Sequence, residues 1–216
     1  MTQRPDPADH VWWLISRSAG VVAFALVALS VLLGLGLASR TLRGPGVTKV
    51  VMAVHEHTAV AGLVAIAVHG IALLGDAFLR PAPIDLAVPL LIAYRPAAVA
   101  AGIVAGWLAA LLGLTFYVRK RLGPRRWRAA HRATVLVYVL AVVHTLTAGT
   151  DASTVWLRAI VWGTAGPIAV LLAARLLGGV SAGARGSASS GSPAPSRPVR
   201  ATPAAPAPSA GPAPGR

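Results

Sequence analysis

Five histidines occupy two long apolar stretches of the 216-residue chain, and four of them form two widely spaced pairs, one in each stretch. His55 and His69 are fourteen residues apart, and His131 and His144 are thirteen apart. If both stretches are helices, a rise of roughly 1.5 Å per residue separates the two histidines of each by about 20 Å. That separation fits two ligand levels within a hydrocarbon core about 30 Å thick. The spacing therefore predicts two metal-centred sites at different depths of a membrane.

The chemistry of these sites follows from the ligand type. Imidazole binds zinc, copper, iron and nickel. A zinc site would need four converging ligands, whereas the histidines of each stretch are nearly four helical turns apart. One histidine from each helix at each level instead supplies the two axial positions of a flat macrocycle, so haem fits. The chain has no cysteine and therefore no covalent attachment motif, which predicts b-type haem.

An alternative is that each histidine only bonds a neighbouring helix. Four histidines in two matched pairs favour ligands, because ionisable side chains inside a membrane are costly and usually functional. Small residues on the same helices, such as Gly62 and Gly70, leave room for a flat ring or equally for close helix packing.

The composition places the chain in a membrane. It is 56% hydrophobic and 12% charged, whereas soluble domains carry about 25% charged residues. The absence of cysteine excludes disulfides, thiolate metal sites and iron–sulfur clusters. The formal charge of +14 lies mostly in a short loop, in flanks and in tails, which is the pattern of membrane orientation rather than of nucleic-acid binding.

Five apolar runs each have about the 20 residues that a spanning helix needs, and none alternates as a barrel strand would. The predicted fold is an all-α integral membrane protein, a five-helix transmembrane bundle with a disordered C-terminal tail. We expect an N-terminal outer segment (1–10), a haem-binding transmembrane domain (11–177) and a Pro-, Ala- and Ser-rich cytoplasmic tail (178–216). The helices are predicted at about 11–37, 50–75, 97–118, 129–148 and 155–177.

The loop charges predict the orientation in the cell membrane. The link between the third and fourth helices is strongly basic and has no acid (Arg119, Lys120, Arg121, Arg125, Arg126, Arg128, Arg132). By the positive-inside rule this link is cytoplasmic, the N-terminus is outside and the C-terminus is inside. The second and fourth helices then run in the same direction. His55 and His131 share the cytoplasmic level, and His69 and His144 share the outer level. The long outer link 76–96 is expected to form a surface or partly re-entrant cap.

Helix geometry makes one pair difficult. Fourteen residues return a regular helix to within about 40° of the same face, but thirteen leave it about 140° away. We therefore expect a bend or irregular turn near Arg132, between His131 and His144. His57 is an alternative inner ligand, although it lies about 160° around the helix from His55.

Three arginines are candidates for contacts with haem propionates or with an anionic acceptor. Arg17 lies near the outer end of the first helix, and its alternative role is to reach the outer headgroups. Arg128 and Arg132 belong to the basic loop, which also fixes topology and contacts anionic lipid, and which could steer an acidic electron donor.

The histidine pattern resembles the ferric reductase-like transmembrane domain found in ferric reductases, NADPH oxidases and the haem subunit of methionine sulfoxide reductase systems. Further similar stretches are Ser-Arg-Ser-Ala-Gly at 16–20, Tyr-Arg-Pro at 94–96, Trp-Arg-Ala-Ala-His-Arg at 127–132, Val-His at 143–144 and Gly-Thr-Asp at 149–151. The resemblance implies that His55, His69, His131 and His144 are axial ligands of two b haems that carry electrons outward.

The chain departs from this pattern in three ways. Many relatives have six helices, whereas five are predicted here, without a counterpart of the first. Glu56 follows His55 where many relatives have arginine, which keeps His57 open as a ligand. No GxGxxG-bearing βαβ unit is present, so no flavin or nicotinamide site is expected and a separate flavoprotein or quinol must donate electrons.

The expected function is therefore transmembrane electron transfer from a cytoplasmic-side donor to an unidentified outer-side acceptor. The protein would be the membrane haem component of an oxidoreductase, with lipid and redox proteins rather than nucleic acid as partners. One alternative is a self-contained quinol-linked reductase similar to b561-type cytochromes. A second is a haem-free membrane scaffold or transport subunit.

Overall fold

A computed structural model describes the backbone of residues 7–42 and 44–189, and the side chains of residues 10–42 and 44–177. This part of the chain is helical and has no strand. The helices are α1 (Pro7–Ala38), α2 (Val47–Leu73), α3 (Pro83–Ala87), α4 (Pro96–Thr115), α5 (Arg119–Leu122), α6 (Pro124–His131), α7 (Thr134–Ala148) and α8 (Val155–Ser189).

Five stretches of helix are long and apolar enough to cross a membrane, which confirms the predicted all-α, five-helix transmembrane fold. They are α1, α2, α4, α8 and the combined stretch Pro124–Ala148, which contains α6 and α7. Large apolar side chains lie exposed along these helices, including Val64, Leu111 and Val170. Exposed apolar surface of this extent suits contact with lipid, so the chain is a multi-pass membrane protein.

Several helix boundaries differ from those predicted. The fourth spanning stretch begins at Pro124 rather than near Ala129, because Gly123 has a φ of 77° and Pro124 starts the helix at its first position. The last helix continues past Leu177 to Ser189, a segment that contains no proline to interrupt it. The rest of the predicted disordered tail, 190–216, lies outside the described residues.

Four spanning helices form a ring around the histidines. Helix α1 packs along α2, and α4 packs along α7. The ring closes through contacts of α1 with α7 and of α2 with α4, so α2 and α7 occupy opposite corners. The chain divides into two compact units after Gly178, and the ring of helices belongs to the first unit.

Helix α1 is the most buried of the spans and joins the ring to α8. Phe24 and Ala28 of α1 pack in one apolar cluster with Tyr138 of α7 and Val161 of α8. The Tyr138 hydroxyl also bonds the Thr164 hydroxyl of α8 at 2.9 Å, so the polar group of this buried ring has a partner.

The link between α2 and α4 folds back along α4. Its short helix α3 ends beside Trp107, whose indole N–H donates to the carbonyl of Ala87 at 2.8 Å. Trp107 lies eleven residues after Pro96, roughly 16 Å along the helix from its start. The link thus packs against α4, and its placement as a surface or partly re-entrant cap stays a prediction.

Candidate functional site

The four histidines of α2, α6 and α7 meet in two pairs across the ring of helices. The ring centroids of His55 and His131 are 6.0 Å apart, with the ring planes 87° from parallel. Those of His69 and His144 are 6.2 Å apart, with the planes at 72°. The same pairs were predicted from the sequence, because the second and fourth spans were expected to run in the same direction.

Helix carbonyls fix the tautomer of three of these imidazoles. Nδ1–H of His69 donates to the carbonyl of Ser16 at 2.8 Å, and Nδ1–H of His55 donates to that of Ser30 at 2.8 Å. Nδ1–H of His144 donates to the carbonyl of Ala98 at 2.9 Å. Because a carbonyl oxygen only accepts, the proton must lie on Nδ1, and the neutral ring carries its lone pair on Nε2. Metal-binding histidines in proteins are oriented in this way.

Helix α1 contains a repeated cradle for the two histidines of α2. Ser16 and Gly20 face His69, and Ser30 and Gly34 face His55. A Cβ on Gly20 would lie 3.0 Å from Nδ1 of His69, and a Cβ on Gly34 would lie 3.2 Å from Cε1 of His55. The glycines therefore let each imidazole lie against the backbone of α1, where it reaches the serine carbonyl one turn earlier.

Helix α4 provides the same arrangement for His144. Its carbonyl acceptor is Ala98, and Gly102 lies one turn further on. A Cβ on Gly102 would be only 2.6 Å from Nδ1 of His144, closer than side chains approach one another. No side chain larger than hydrogen can occupy position 102 without moving the imidazole.

His131 is held differently. Its ring makes no hydrogen bond with another described residue, and it stacks on Trp127 with centroids 5.0 Å apart and planes 19° from parallel. The indole N–H of Trp127 is buried and has no acceptor in the part of the chain that the structure describes. A buried donor without an acceptor is costly, so this N–H needs an acceptor that the described residues do not provide.

The irregular turn expected near Arg132 is present. Helix α6 ends at His131 and α7 begins at Thr134. Around this join the amides of Arg132, Ala133 and Leu136 bond carbonyls three residues earlier. Each residue wound at three per turn adds about 20° to the α-helical 100°. The tighter winding rotates His131 towards the face of His144, which a regular helix would not do.

The other predicted candidates have different surroundings. His57 is exposed and donates Nδ1–H to the carbonyl of Ala53 in its own helix at 2.7 Å, so the structure brings His55 rather than His57 to His131. Arg17 pairs with Asp151, its Nε donating to Oδ2 at 2.6 Å. Arg128 and Arg132 are exposed beside Trp127 and His131.

Comparison with known families decides what kind of domain holds these histidines. The sequence model described as "Ferric reductase like transmembrane component" matches residues 19–142, which is more than half of the chain. The chain belongs to the ferric reductase-like transmembrane family. No curated protein and no solved structure matches it.

A ferric reductase-like transmembrane domain indicates a membrane electron-transfer component, and such domains generally bind haem. The family match contains three of the four paired histidines, His55, His69 and His131. It ends at residue 142, two residues before His144, whose predicted pairing with His69 is seen in the structure.

The residues of the family's candidate site fit axial ligation of haem. A metal held between two imidazoles would lie about 2 Å from one nitrogen of each ring. The centre of each imidazole ring lies roughly one bond length beyond that nitrogen, so the two ring centroids would be about 6 Å apart. The observed separations are 6.0 and 6.2 Å. Within the described residues, no three His, Cys, Asp or Glu side chains converge as an all-protein metal site would need. Two histidines at each level could serve as the protein ligands of a macrocycle that supplies the remaining four.

The residues that orient the histidines were not among those predicted. Ser16 and Ser30 are fourteen residues apart, as are Gly20 and Gly34, and this matches the interval between His55 and His69. Because α1 and α2 are antiparallel, equal intervals along the two helices place one cradle opposite each histidine. The repeated interval could therefore have been used to predict the cradles from the sequence. Gly62, by contrast, packs against Leu26 and Val27 of α1. Its role is close helix packing rather than space for a ring.

Proposed function

We propose that this protein is a b-type haem electron-transfer component with two haems, one held by His55 and His131 and the other by His69 and His144. The observation that carries the proposal is the pairing of imidazoles across the ring of helices, with Nδ1–H of three of them bonded to helix carbonyls. If the histidines only packed the helices together, two imidazoles would not need to approach each other with the lone pair of each ring on Nε2. When bound, haem supplies a one-electron carrier at each level.

The protein's own residues would perform three tasks. The serine and alanine carbonyls on α1 and α4 hold the ligand rings and raise their basicity. The glycines one turn later leave space for those rings. The apolar side chains of the bundle keep water from both levels, which is one of the ways a protein sets a haem potential.

The direction of transfer rests on the loop charges. The basic stretch 119–132 lies at the end of the bundle that carries His55 and His131, and we assign this end to the cytoplasm. Electrons would enter there from a separate flavoprotein or from quinol, and leave from the His69 and His144 level to an outer acceptor. The exposed arginines of α5 and α6 suit an acidic donor surface.

The first test is a spectrum of the purified protein, produced with adequate haem supply. We expect b-type bands in the dithionite-reduced minus oxidised difference spectrum, and about two haems per chain by pyridine haemochrome assay. A stable, correctly inserted protein that takes up no haem would contradict the proposed function and favour a scaffold or transport role.

We also expect Trp127 to donate its buried N–H to a haem carboxylate at the inner level. Trp127→Phe keeps an aromatic ring against His131 but removes the donor, so the negative charge of that carboxylate is less well compensated. The inner haem should remain bound, with a midpoint potential lower by on the order of 30 mV, since 59 mV corresponds to a tenfold change for one electron. Redox titration measures this shift.

Trp107→Phe is the matched control, because it removes an indole N–H that bonds the end of α3 instead. This substitution should leave both potentials unchanged. An inner potential that does not move in Trp127→Phe would show that the N–H has no such partner.

A further inference from the structure

One ion pair ties α1 to the turn after α7. Arg17 donates Nε–H to Oδ2 of Asp151 at 2.6 Å, and its Nη2 bonds Oδ1 of the same carboxylate. The guanidinium also lies over the Trp13 ring, with 5.0 Å from Cζ to the ring centroid. The pair is therefore bidentate, a geometry that fixes orientation as well as distance. We call it the outer ion pair.

The two residues of the outer ion pair differ in burial. Asp151 is only 6% exposed, whereas the Arg17 side chain is 36% exposed. A buried carboxylate is costly unless it is paired, so Asp151 constrains where Arg17 can lie. Because the carboxylate occupies two donors of the guanidinium and neutralises its charge, a further anion would have to compete with Asp151 for Arg17.

Each residue of the outer ion pair is linked through a short stretch of chain or one hydrogen bond to a histidine of the outer level. Arg17 directly follows Ser16, whose carbonyl accepts the Nδ1–H of His69. Asp151 lies seven residues after His144, in the turn that follows α7. The pair thus connects the cradle of one histidine to the end of the helix that carries the other. Among the described residues, no second ion pair connects the helices that carry His55 and His131.

We propose that Arg17 and Asp151 are positioning residues that set the spacing between His69 and His144. This inference rests on the proposed function for its redox consequences, but not for its structural ones. The spacing matters because axial ligation requires both imidazole nitrogens within bonding distance of one metal. If the ion pair is lost, α1 and α7 can separate at their outer ends, and the outer level should change while the inner level does not.

The first experiment compares Asp151→Asn, which removes the charge at nearly constant volume, with Arg17→Lys, which keeps the charge but loses the bidentate geometry. In protein containing both haems, we expect Asp151→Asn to lose the outer haem or shift its midpoint potential and low-spin EPR signal. Arg17→Lys should produce a smaller change of the same kind. Arg158→Lys, at an exposed arginine of α8, is the control and should match the unsubstituted protein.

Exchange of the charges tests position directly. The double variant Arg17→Asp with Asp151→Arg should recover outer-haem retention relative to either single reversal. An outer component that is unchanged in Asp151→Asn, or an inner component that changes as much as the outer one, would overturn the proposal.

A second measurement needs no haem. The chain has no cysteine, so spin labels on Val11→Cys and Ser153→Cys report on one pair of sites, in α1 and in the turn that follows α7. In haem-free protein, Asp151→Asn should broaden the distance distribution between the labels. An unchanged distribution would overturn the positioning role. If the unsubstituted protein bound no haem, the proposed function would be wrong. The comparison of label distances with and without Asp151→Asn would still test the positioning role of the outer ion pair.

Discussion

His69→Ala is expected to lower the haem content from about two per chain to about one, because an axial ligand has no replacement at its level. The lost component should be the outer one. His144→Ala should leave the same residual spectrum and midpoint potential, since His144 is the partner of His69 at 6.2 Å. Haem stoichiometry and redox titration of the purified variants measure both effects.

The inner level provides the reciprocal result. His55→Ala and His131→Ala should resemble each other and retain the component that His69→Ala loses. His57→Ala is the matched control on α2, because this exposed histidine bonds only a carbonyl of its own helix. It should retain both haems. If His69→Ala resembled His131→Ala rather than His144→Ala, the two-level assignment would be wrong.

The second large effect is expected at Gly102, which leaves less space for a Cβ beside its histidine than Gly20 or Gly34 does. Replacing an interior helix glycine with alanine ordinarily stabilises a helix by about 1 kcal/mol. At position 102, however, the new methyl group would lie 2.6 Å from Nδ1 and 2.7 Å from Cε1 of His144. Overpacking of this kind typically costs about 1–3 kcal/mol, and it would also displace the ring from the carbonyl of Ala98. Gly102→Ala should therefore lose most of the outer haem.

Gly106 offers a control one turn further along the same helix. A Cβ there would lie 3.5 Å from Cγ2 of Ile66, which is an ordinary contact. Gly106→Ala should keep both haems and melt at the same temperature as the unsubstituted protein or slightly higher. Haem content and thermal melting of the two variants measure the difference. Equal haem retention in Gly102→Ala and Gly106→Ala would show that the backbone can move to accommodate the methyl group.

Much of the architecture could be predicted because a membrane narrows the choices. Backbone groups in hydrocarbon must be satisfied within a helix, so an apolar run of sufficient length predicts both an element and its approximate ends. The pairing of His55 with His131 and of His69 with His144 also followed from sequence. The basic loops predict that the second and fourth spans run the same way, and two such spans bring equivalent positions to the same depth.

Helix ends were less predictable, because hydropathy does not record where a turn begins. The basic loop folds into α5 and α6, and the fourth span starts at Pro124, since the glycine and proline at 123 and 124 allow a turn and then a helix start. Similarly, the choice between His55 and His57 needed the direction of each side chain around α2. The structure faces His55 towards His131 and leaves His57 exposed.

The sequence by itself determined the number of spans, the two levels of histidines and the need for an irregular turn between His131 and His144. These properties depend on composition, length and helical period, which are local. Only the tertiary structure revealed the carbonyls of Ser16, Ser30 and Ala98 behind the ligand rings, and the bond between Arg17 and Asp151. These contacts join residues that are between 25 and 134 positions apart. Backbone carbonyls have no side-chain signature, and the partner of a charge depends on which helices are neighbours, so packing alone decides them.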